Sequence, residues 1–248
     1  MTSIIFTWLE KTASGFSDKI IVVSNLDKQK GLANHIGRED KYSLIRYGID
    51  YELFRAKDQD IRRILGFVAD DLVVGTVSCL KPQKCPEDFV KLAFLVNQLM
   101  PNVKFILAGD GVLRGKVEKL IDKLGLRSKL FLIGWRSDIQ DVLNTLDVFV
   151  LTSLWEGLPI SVLEAMALGR PVIVTNTGGI SEVISEAETG YLVPPKDMDN
   201  MSKRLVILLQ DSLLRKTIGK NAKDSLGSNF TLSNMARNTQ DLYNDLLL

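Results

Sequence analysis

A doubly wound α/β domain built on a parallel sheet is the fold class this sequence predicts, from three observations. Apolar, β-branched runs alternate with helical patterns from about residue 70 to 225. Glycines or polar turns separate the two kinds of segment. Several polar motifs sit just beyond the strands, where the ligand crevice of an open α/β sheet lies.

The elements follow in order. The first seventy residues carry a short helix, a strand at Lys19 to Val23, a helix after it, and a weaker strand around Ser43 to Arg46. Two strands cannot make a doubly wound domain, so this segment is either an extension packed on the main domain or the remnant of a second domain. Strands are predicted at Leu72 to Val77, Val103 to Ala108, Leu130 to Ile133, Val148 to Leu151 and Val172 to Val174. Helices are predicted at Glu87 to Met100, Leu113 to Leu124, Asp138 to Leu143, Pro159 to Leu168 and Ile180 to Glu186. Beyond Ser228, Leu232, Met235, Leu242 and Leu246 recur at helical spacing and predict a terminal amphipathic helix over Thr231 to Leu247.

Composition excludes several function classes. The chain has 248 residues with 31 basic and 30 acidic side chains, so no bulk attraction to nucleic acid is implied. Its length suits one large core or two modest ones, domains usually running to about 100 to 200 residues. Cys79 and Cys85 are separated by five residues, neither a CxxC pair nor a secreted disulfide framework, which favours a reducing cytoplasm. The single histidine, His35, reads as a surface residue, and metal catalysis through imidazole is not expected. No run approaches the roughly 18 apolar residues of a spanning helix, and Ile4 to Leu9 is too short and lacks the basic lead of a signal peptide. The protein is expected to be soluble or at most peripheral.

The candidate chemistry lies at the predicted strand ends. In Glu156-Gly157-Leu158-Pro159-Ile160-Ser161-Val162-Leu163-Glu164 two carboxylates flank the start of a helix. Gly157 permits a tight strand-to-helix turn and Pro159 suits the first helical turn. The helix after Ser161 is apolar on nearly every side except at Ser161 and Glu164, which predicts that it is packed inside. A buried Glu164 then needs a hydrogen-bond donor. From Pro159 to Glu164 a helix rises about 7 Å, a span comparable to that from a phosphate to the ribose of the same nucleotide. The plain alternative has Glu164 paired with an Arg or Lys of a neighbouring element and Glu156 solvated in a loop.

Elsewhere, Lys84 stands in the loop after Val77, just before a helix, where its ammonium could reinforce the positive end of the helix on a phosphate. Gly109-Asp110-Gly111 lacks the third glycine of GxGxxG and reads equally as a tight turn with Asp110 capping the next helix. Gly134-Trp135 offers backbone groups and a flat ring that could border a base, against the alternative of a packed Trp. Gly178-Gly179, ahead of Glu182, allows close backbone approach and a helix start with free N–H groups.

Taken together, Gly109-Asp110-Gly111, Gly134-Trp135, Ser153 to Pro159 through Glu164-Ala165-Met166, Gly178-Gly179 with Glu182, and Thr189 to Pro195 strongly resemble family 4 glycosyltransferases. The resemblance covers essentially the whole chain, with Ser17 to Asn25 and Tyr42 to Phe54 similar to the last part of that family's N-terminal domain. It implies a GT-B enzyme, and divides this chain into a remnant of the N-terminal acceptor domain with its linker at residues 1–56, a Rossmann-like nucleotide-sugar-binding domain at 57–228, and a C-terminal helix at 229–248 that packs back on the N-terminal domain.

The resemblance further implies a retaining transfer from a nucleotide-diphosphate sugar, UDP-, GDP- or ADP-linked, with no metal and no cofactor. Glu156 would contact the donor sugar, Gly157 and Leu158 would offer backbone N–H groups, Glu164 would accept from the ribose hydroxyls, and Lys84 would neutralise the leaving diphosphate; Gly134 and Trp135 complete the donor-binding set. Lys84 and Glu156 are the expected catalytic residues. The implied acceptor is a lipid-linked or polysaccharide glycan, and the implied location is cytoplasmic, with a peripheral variant at the inner membrane face.

Two departures matter. Where many members carry an Arg after the first strand of this domain and then a Lys-Gly pair, this chain has Cys79 and Lys84-Cys85, so one of two usual diphosphate cations is replaced by a residue read as small and buried, with Lys81 as the candidate substitute. Most of the acceptor domain has no counterpart. The resemblance therefore implies the donor-binding half of a glycosyltransferase, with an N-terminal domain or partner subunit supplying the rest. The alternatives are a non-catalytic nucleotide-sugar-binding module, a subunit of a split enzyme, and another GT-B activity such as a phosphorylase or sugar-nucleotide epimerase.

Overall fold

The computed structural model describes residues 2–52 and 61–247. In the first stretch α1 (Thr2–Phe16) leads to β1 (Ile20–Val22), α2 (Asn25–Ala33) and β2 (Tyr42–Leu44), and the two strands pair in parallel with Ile21 opposite Ser43. The expected boundary between residues 56 and 57, and the Leu53-Phe54 end of the expected N-terminal segment, lie outside the described residues.

The second stretch opens on α3 (Ile61–Ile64) and then alternates: β3 (Val73–Val77), α4 (Pro86–Leu99), β4 (Lys104–Ala108), α5 (Arg114–Lys123), β5 (Leu130–Gly134), α6 (Ile139–Thr145), β6 (Val148–Leu151), α7 (Ile160–Ala167), β7 (Val172–Thr175) and β8 (Gly190–Val193). Helices α8 (Met198–Gln210), α9 (Ser212–Leu226) and α10 (Leu232–Leu247) complete the chain. The six strands β3 to β8 form one parallel sheet in the order β5-β4-β3-β6-β7-β8. This is the predicted doubly wound class. All five predicted strands of this domain are present, within one or two residues at their ends.

The sheet's side-chain alternation builds two cores. Val74, Phe105, Leu107, Val148, Val150 and Ile173 point to one face, against Val90, Val96, Val117, Met201 and Leu205 of the covering helices. Val73, Ile106, Phe149, Leu151, Val172 and Val174 point to the other, against Val142, Leu163, Met166 and Ala222. Both faces being covered explains why the strands read as continuous apolar runs.

One predicted helix is corrected. Ile180 to Glu186 is not α-helical: a 3-10 turn runs over Gly178–Glu182 and the chain then turns toward β8. The cause is Gly178, whose φ of 62° lies in the left-handed region and whose missing Cβ would stand 2.0 Å from the Glu156 carbonyl oxygen. Tight contact with a neighbouring loop overrides the apolar pattern. The strand β8 is an element the apolar runs did not mark, being four residues long and beginning on Gly190.

The topology fixes where a ligand can sit. From β3 the chain steps outward to β4 and β5, then crosses to β6 on the other side of β3, so the switch point lies between the carboxyl ends of β3 and β6. Lys84 lies in the loop after β3, and Glu156 in the loop after β6.

Candidate functional site at the topological switch point

Two loops meet at the switch point and are stitched together through their backbones. The Thr152 hydroxyl donates to the carbonyls of Lys84 and Cys85 at 3.2 and 3.1 Å, the Leu154 N–H donates to the Gln83 carbonyl at 2.7 Å, and the Gln83 side chain donates to the Trp155 carbonyl at 2.8 Å. On this frame Lys84 Nζ reaches Glu156 Oε1 at 2.5 Å, and Ser153 Oγ donates to the same oxygen at 2.5 Å. The side chains of Lys84 and Glu156 are only 16% and 7% exposed. Among the described residues Glu156 Oε2 has no hydrogen-bond donor, so both donors converge on one carboxylate oxygen.

The plain alternative for the two carboxylates is thereby inverted. Glu156 is the buried, paired one. Glu164 is partly buried on α7, and among the described residues no donor reaches its carboxylate and no cation pairs with it. Burial alone pushes its carboxyl above the usual carboxylate range. Around it the helix is packed as expected, with Val162, Leu163, Ala165, Met166 and Ala167 buried, while Ile160 is 45% exposed at the helix start.

That start is uncapped. Pro159 is the N-cap of α7 and makes no side-chain cap, and among the described residues no acceptor takes the backbone N–H of Gly157 or Leu158. The helix begins at Ile160, one residue beyond the expected Pro159.

The remaining predicted residues surround this centre. The Gly134 carbonyl accepts from the Gly109 N–H at 2.7 Å, joining the ends of β4 and β5. Trp135 is 77% exposed, so it is not a packed core residue and its ring faces solvent. Asp110 does not cap α5: its Oδ1 accepts from the Gly111 N–H at 2.7 Å and its Oδ2 pairs with Arg114 at 2.8 Å. The Gly111 N–H and then Arg114 hold its carboxyl below the usual range. Cys79 is exposed, against the expectation of a small buried residue, because Leu80 beside it takes the interior position. Lys81 is exposed and has no ion-pair partner among the described residues. His35 is exposed in α2's following loop, and no group of three His, Cys, Asp or Glu side chains able to hold a metal occurs among the described residues.

Of the glycine pair, Gly179 does not present a free N–H group to an anion. The Gly179 N–H donates to the Gly157 carbonyl at 2.6 Å, and Ser24 of the N-terminal segment fills the space beside Gly179. From the same 3-10 turn, Glu182 reaches that segment, accepting from the Leu26 N–H at 2.8 Å and the Asn25 side chain at 3.3 Å, and pairing with Arg46 at 2.9 Å. Desolvation works against ionisation of Glu182, but the Leu26 and Asn25 donors and Arg46 outweigh it and lower its pKa. Arg46 in turn lies over the Phe230 ring, 5.5 Å from its centroid.

Sequence reasoning did not single out Ser153 as a site residue. Arg46 left no local signal, since its partner lies 136 residues away.

Comparison with known proteins places this geometry in context. The family model described as "Glycosyl transferases group 1" matches residues 57–225. The chain is 32% identical over 251 aligned positions to an Escherichia coli UDP-Gal:alpha-D-GlcNAc-diphosphoundecaprenol alpha-1,3-galactosyltransferase, covering 99% of this chain and 65% of that enzyme. It is similar in structure to sucrose-phosphate synthase from Thermosynechococcus elongatus, with a TM-score of 0.86, 26% identity, and coverage of 97% of this chain and 61% of that one. It is similar as well to Anabaena HepE crystallised with UDP and glucose, with a TM-score of 0.84, 26% identity, and coverage of 94% and 64%. The chain spans less than two-thirds of the length of these relatives. Among the described residues no helix is long and apolar enough to cross a membrane.

Proposed function

The chain belongs to the glycosyl transferases group 1 family, and from that premise we propose that it is the donor-binding half of a retaining glycosyltransferase that takes a UDP-linked sugar. The observation that carries this reading is the pairing of an uncapped helix start with an unpartnered, partly buried Glu164 at the switch point of the sheet. A diphosphate at the free N–H groups of Gly157 and Leu158 leaves the ribose hydroxyls facing Glu164 one and a half turns along the helix. A diol is a donor of the kind that carboxylate lacks. The choice of UDP among nucleotides is supported by relatives named for UDP-Gal and crystallised with UDP.

In the proposed reaction the bond between the anomeric carbon and the diphosphate breaks, and the acceptor oxygen takes the diphosphate's place with retention, its hydroxyl proton passing to the departing diphosphate. Lys84 and the backbone N–H groups stabilise the charge that grows on the departing diphosphate, the electrostatic role that a preplaced cation fills without a metal. Lys81, exposed and without an ion pair among the described residues, offers a second positive charge where Cys79 stands. Glu156 Oε2 accepts from a hydroxyl of the sugar. Gly134 and Trp135 border the base.

The acceptor side is proposed to come from a further domain, in the same or another chain. Supporting this, β1 and β2 form a sheet of two strands among the described residues, in which Ile21 and Leu44 are exposed, and α1 exposes Phe6, Trp8 and Phe16. A two-stranded parallel sheet is marginal alone and parallel sheets are normally covered on both faces. The acceptor is proposed to be a lipid-linked glycan, as in the name of the Escherichia coli relative, which suits a cytoplasmic protein working at the inner membrane face. Calorimetric titration with UDP, GDP and ADP and their sugars tests the reading: binding of UDP and its sugars with little transfer by this chain alone is expected, and robust turnover by the purified chain would overturn the division into halves.

A further inference from the structure

The start of α2 lies directly against the backbone that follows Glu156. A Cβ built on Gly157 would stand 3.5 Å from Asp27 Oδ2 and 3.5 Å from Val23 Cγ2, so these two side chains of the N-terminal segment border Gly157. Several contacts hold them there. Ser24, which is completely buried, fills the space beside Gly179, the Gly179 N–H donates to the Gly157 carbonyl at 2.6 Å, and Glu182 accepts from the Leu26 N–H at 2.8 Å. Ser24 also caps α2 by accepting from the Asp27 N–H at 3.0 Å, which fixes the backbone from which the Asp27 side chain projects.

Asp27 and Glu156 are held in the same way. A serine three residues earlier donates to one oxygen of each carboxylate, Ser24 to Asp27 Oδ2 at 2.7 Å and Ser153 to Glu156 Oε1 at 2.5 Å. Among the described residues no donor reaches the other oxygen of either one, and Asp27 has no ion-pair partner. The Glu156 side chain is only 7% exposed, so its unpartnered Oε2 is an acceptor largely removed from water. Asp27 is half-buried. We propose that Asp27 is a specificity-determining residue of the donor site, its free Oδ1 accepting from a hydroxyl of the donor sugar alongside the contact made by Glu156.

The inference rests on the donor-binding reading, which puts the diphosphate at the N–H groups of Gly157 and Leu158. An ionised carboxylate only accepts hydrogen bonds, and beside a diphosphate it meets like charge. The base is assigned to Gly134 and Trp135 and the ribose to Glu164, so the hydroxyls of the sugar are the donors that remain. Calorimetry on this chain with UDP, UDP-glucose and UDP-galactose, for the wild type, Asp27→Asn and Asp27→Ala, tests the proposal through the ratio of UDP-sugar affinity to UDP affinity. Asp27→Asn nearly keeps the side chain's shape, and its amide oxygen still accepts from Ser24. The expected result is that UDP affinity holds or rises, a negative charge having left the neighbourhood of the diphosphate. For the sugar that the wild type binds more tightly, the ratio falls about tenfold, the scale of a hydrogen bond to a charged group. Asp27→Ala, which removes both oxygens, lowers the ratio at least as far.

Parallel losses for UDP and its sugars would make Asp27 a residue that only builds the start of α2, and would overturn the proposal. An unchanged ratio in either variant would overturn it too, and if one variant does not fold the other decides. A wild-type chain that binds UDP, with a sugar ratio indifferent to Asp27, contradicts this inference alone. A wild-type chain that binds neither UDP nor its sugars contradicts the donor-binding reading together with it.

Discussion

The loop after β6 and the helix that follows it carry carboxylates eight positions apart and treat them in opposite ways. In the loop, Glu156 is met by Lys84 and Ser153, and the surrounding backbone is tied to the loop after β3. In the helix, Glu164 is met by no donor among the described residues, although burial raises its pKa. A protein tolerates an unpartnered, half-buried carboxylate at some cost in stability. The contrast separates a carboxylate tied into the loop frame from one that has no partner among the described residues.

The largest effect that would sharpen this contrast is on stability. Lys84→Ala leaves Glu156 buried with only Ser153, and is expected to lower unfolding free energy by about 3 kcal/mol in denaturant titrations, the scale of breaking a buried ion pair. Glu164→Gln breaks nothing in the free chain, so its unfolding midpoint should hold or rise. Equal destabilisation by the two variants would erase the distinction.

The next effect is on the link to the N-terminal segment. Glu182→Ala removes acceptors for the Leu26 N–H and the Asn25 side chain and the partner of Arg46. A loss of about 1 to 3 kcal/mol is expected, read most directly as faster amide exchange in α2 with the six-stranded sheet unaffected. Because Glu182 has a lowered pKa in the folded chain, its contribution is present above the unfolded carboxyl's pKa and is lost as pH falls through the folded value. Acid should therefore loosen α2 before the sheet, and Glu182→Gln should blunt that pH dependence.

The smallest effect is the pH dependence of Glu164 itself. Its folded pKa is raised, so the penalty of ionising it is absent below the unfolded pKa and sets in as pH rises through the folded value. Glu164→Gln should gain a little stability relative to wild type on that basic side. Ribose hydroxyls favour the ionised form, so nucleotide affinity should rise with pH over the same interval, and a pH-independent affinity would count against the ribose contact.

Much of this was legible in the sequence, for identifiable reasons. The strands from β3 to β7 are continuous apolar runs because both faces of the sheet are covered, and such runs are read without knowing the topology. The start of α7 was marked by Gly157 and Pro159, whose backbone preferences are local. What sequence did not carry depends on distant partners. Gly178 and Gly179 read as a helix start for an anion, but the space they leave is taken by the Glu156 and Gly157 carbonyls and by Ser24. Glu156 read as a ligand contact or a solvated residue, and its pairing with Lys84, 72 residues earlier, needed the adjacency of β3 and β6. The exposure of Cys79 was likewise set by Leu80, which took the interior position beside it.

One measurement tests the central claim, that Glu164 is vacant because its partner is a nucleotide. UDP is titrated calorimetrically into the wild-type chain and into Glu164→Ala, with unfolding midpoints recorded for both. A loss of UDP affinity of at least about tenfold is expected in Glu164→Ala, with the fold undiminished. Equal UDP affinity in the two chains would contradict it.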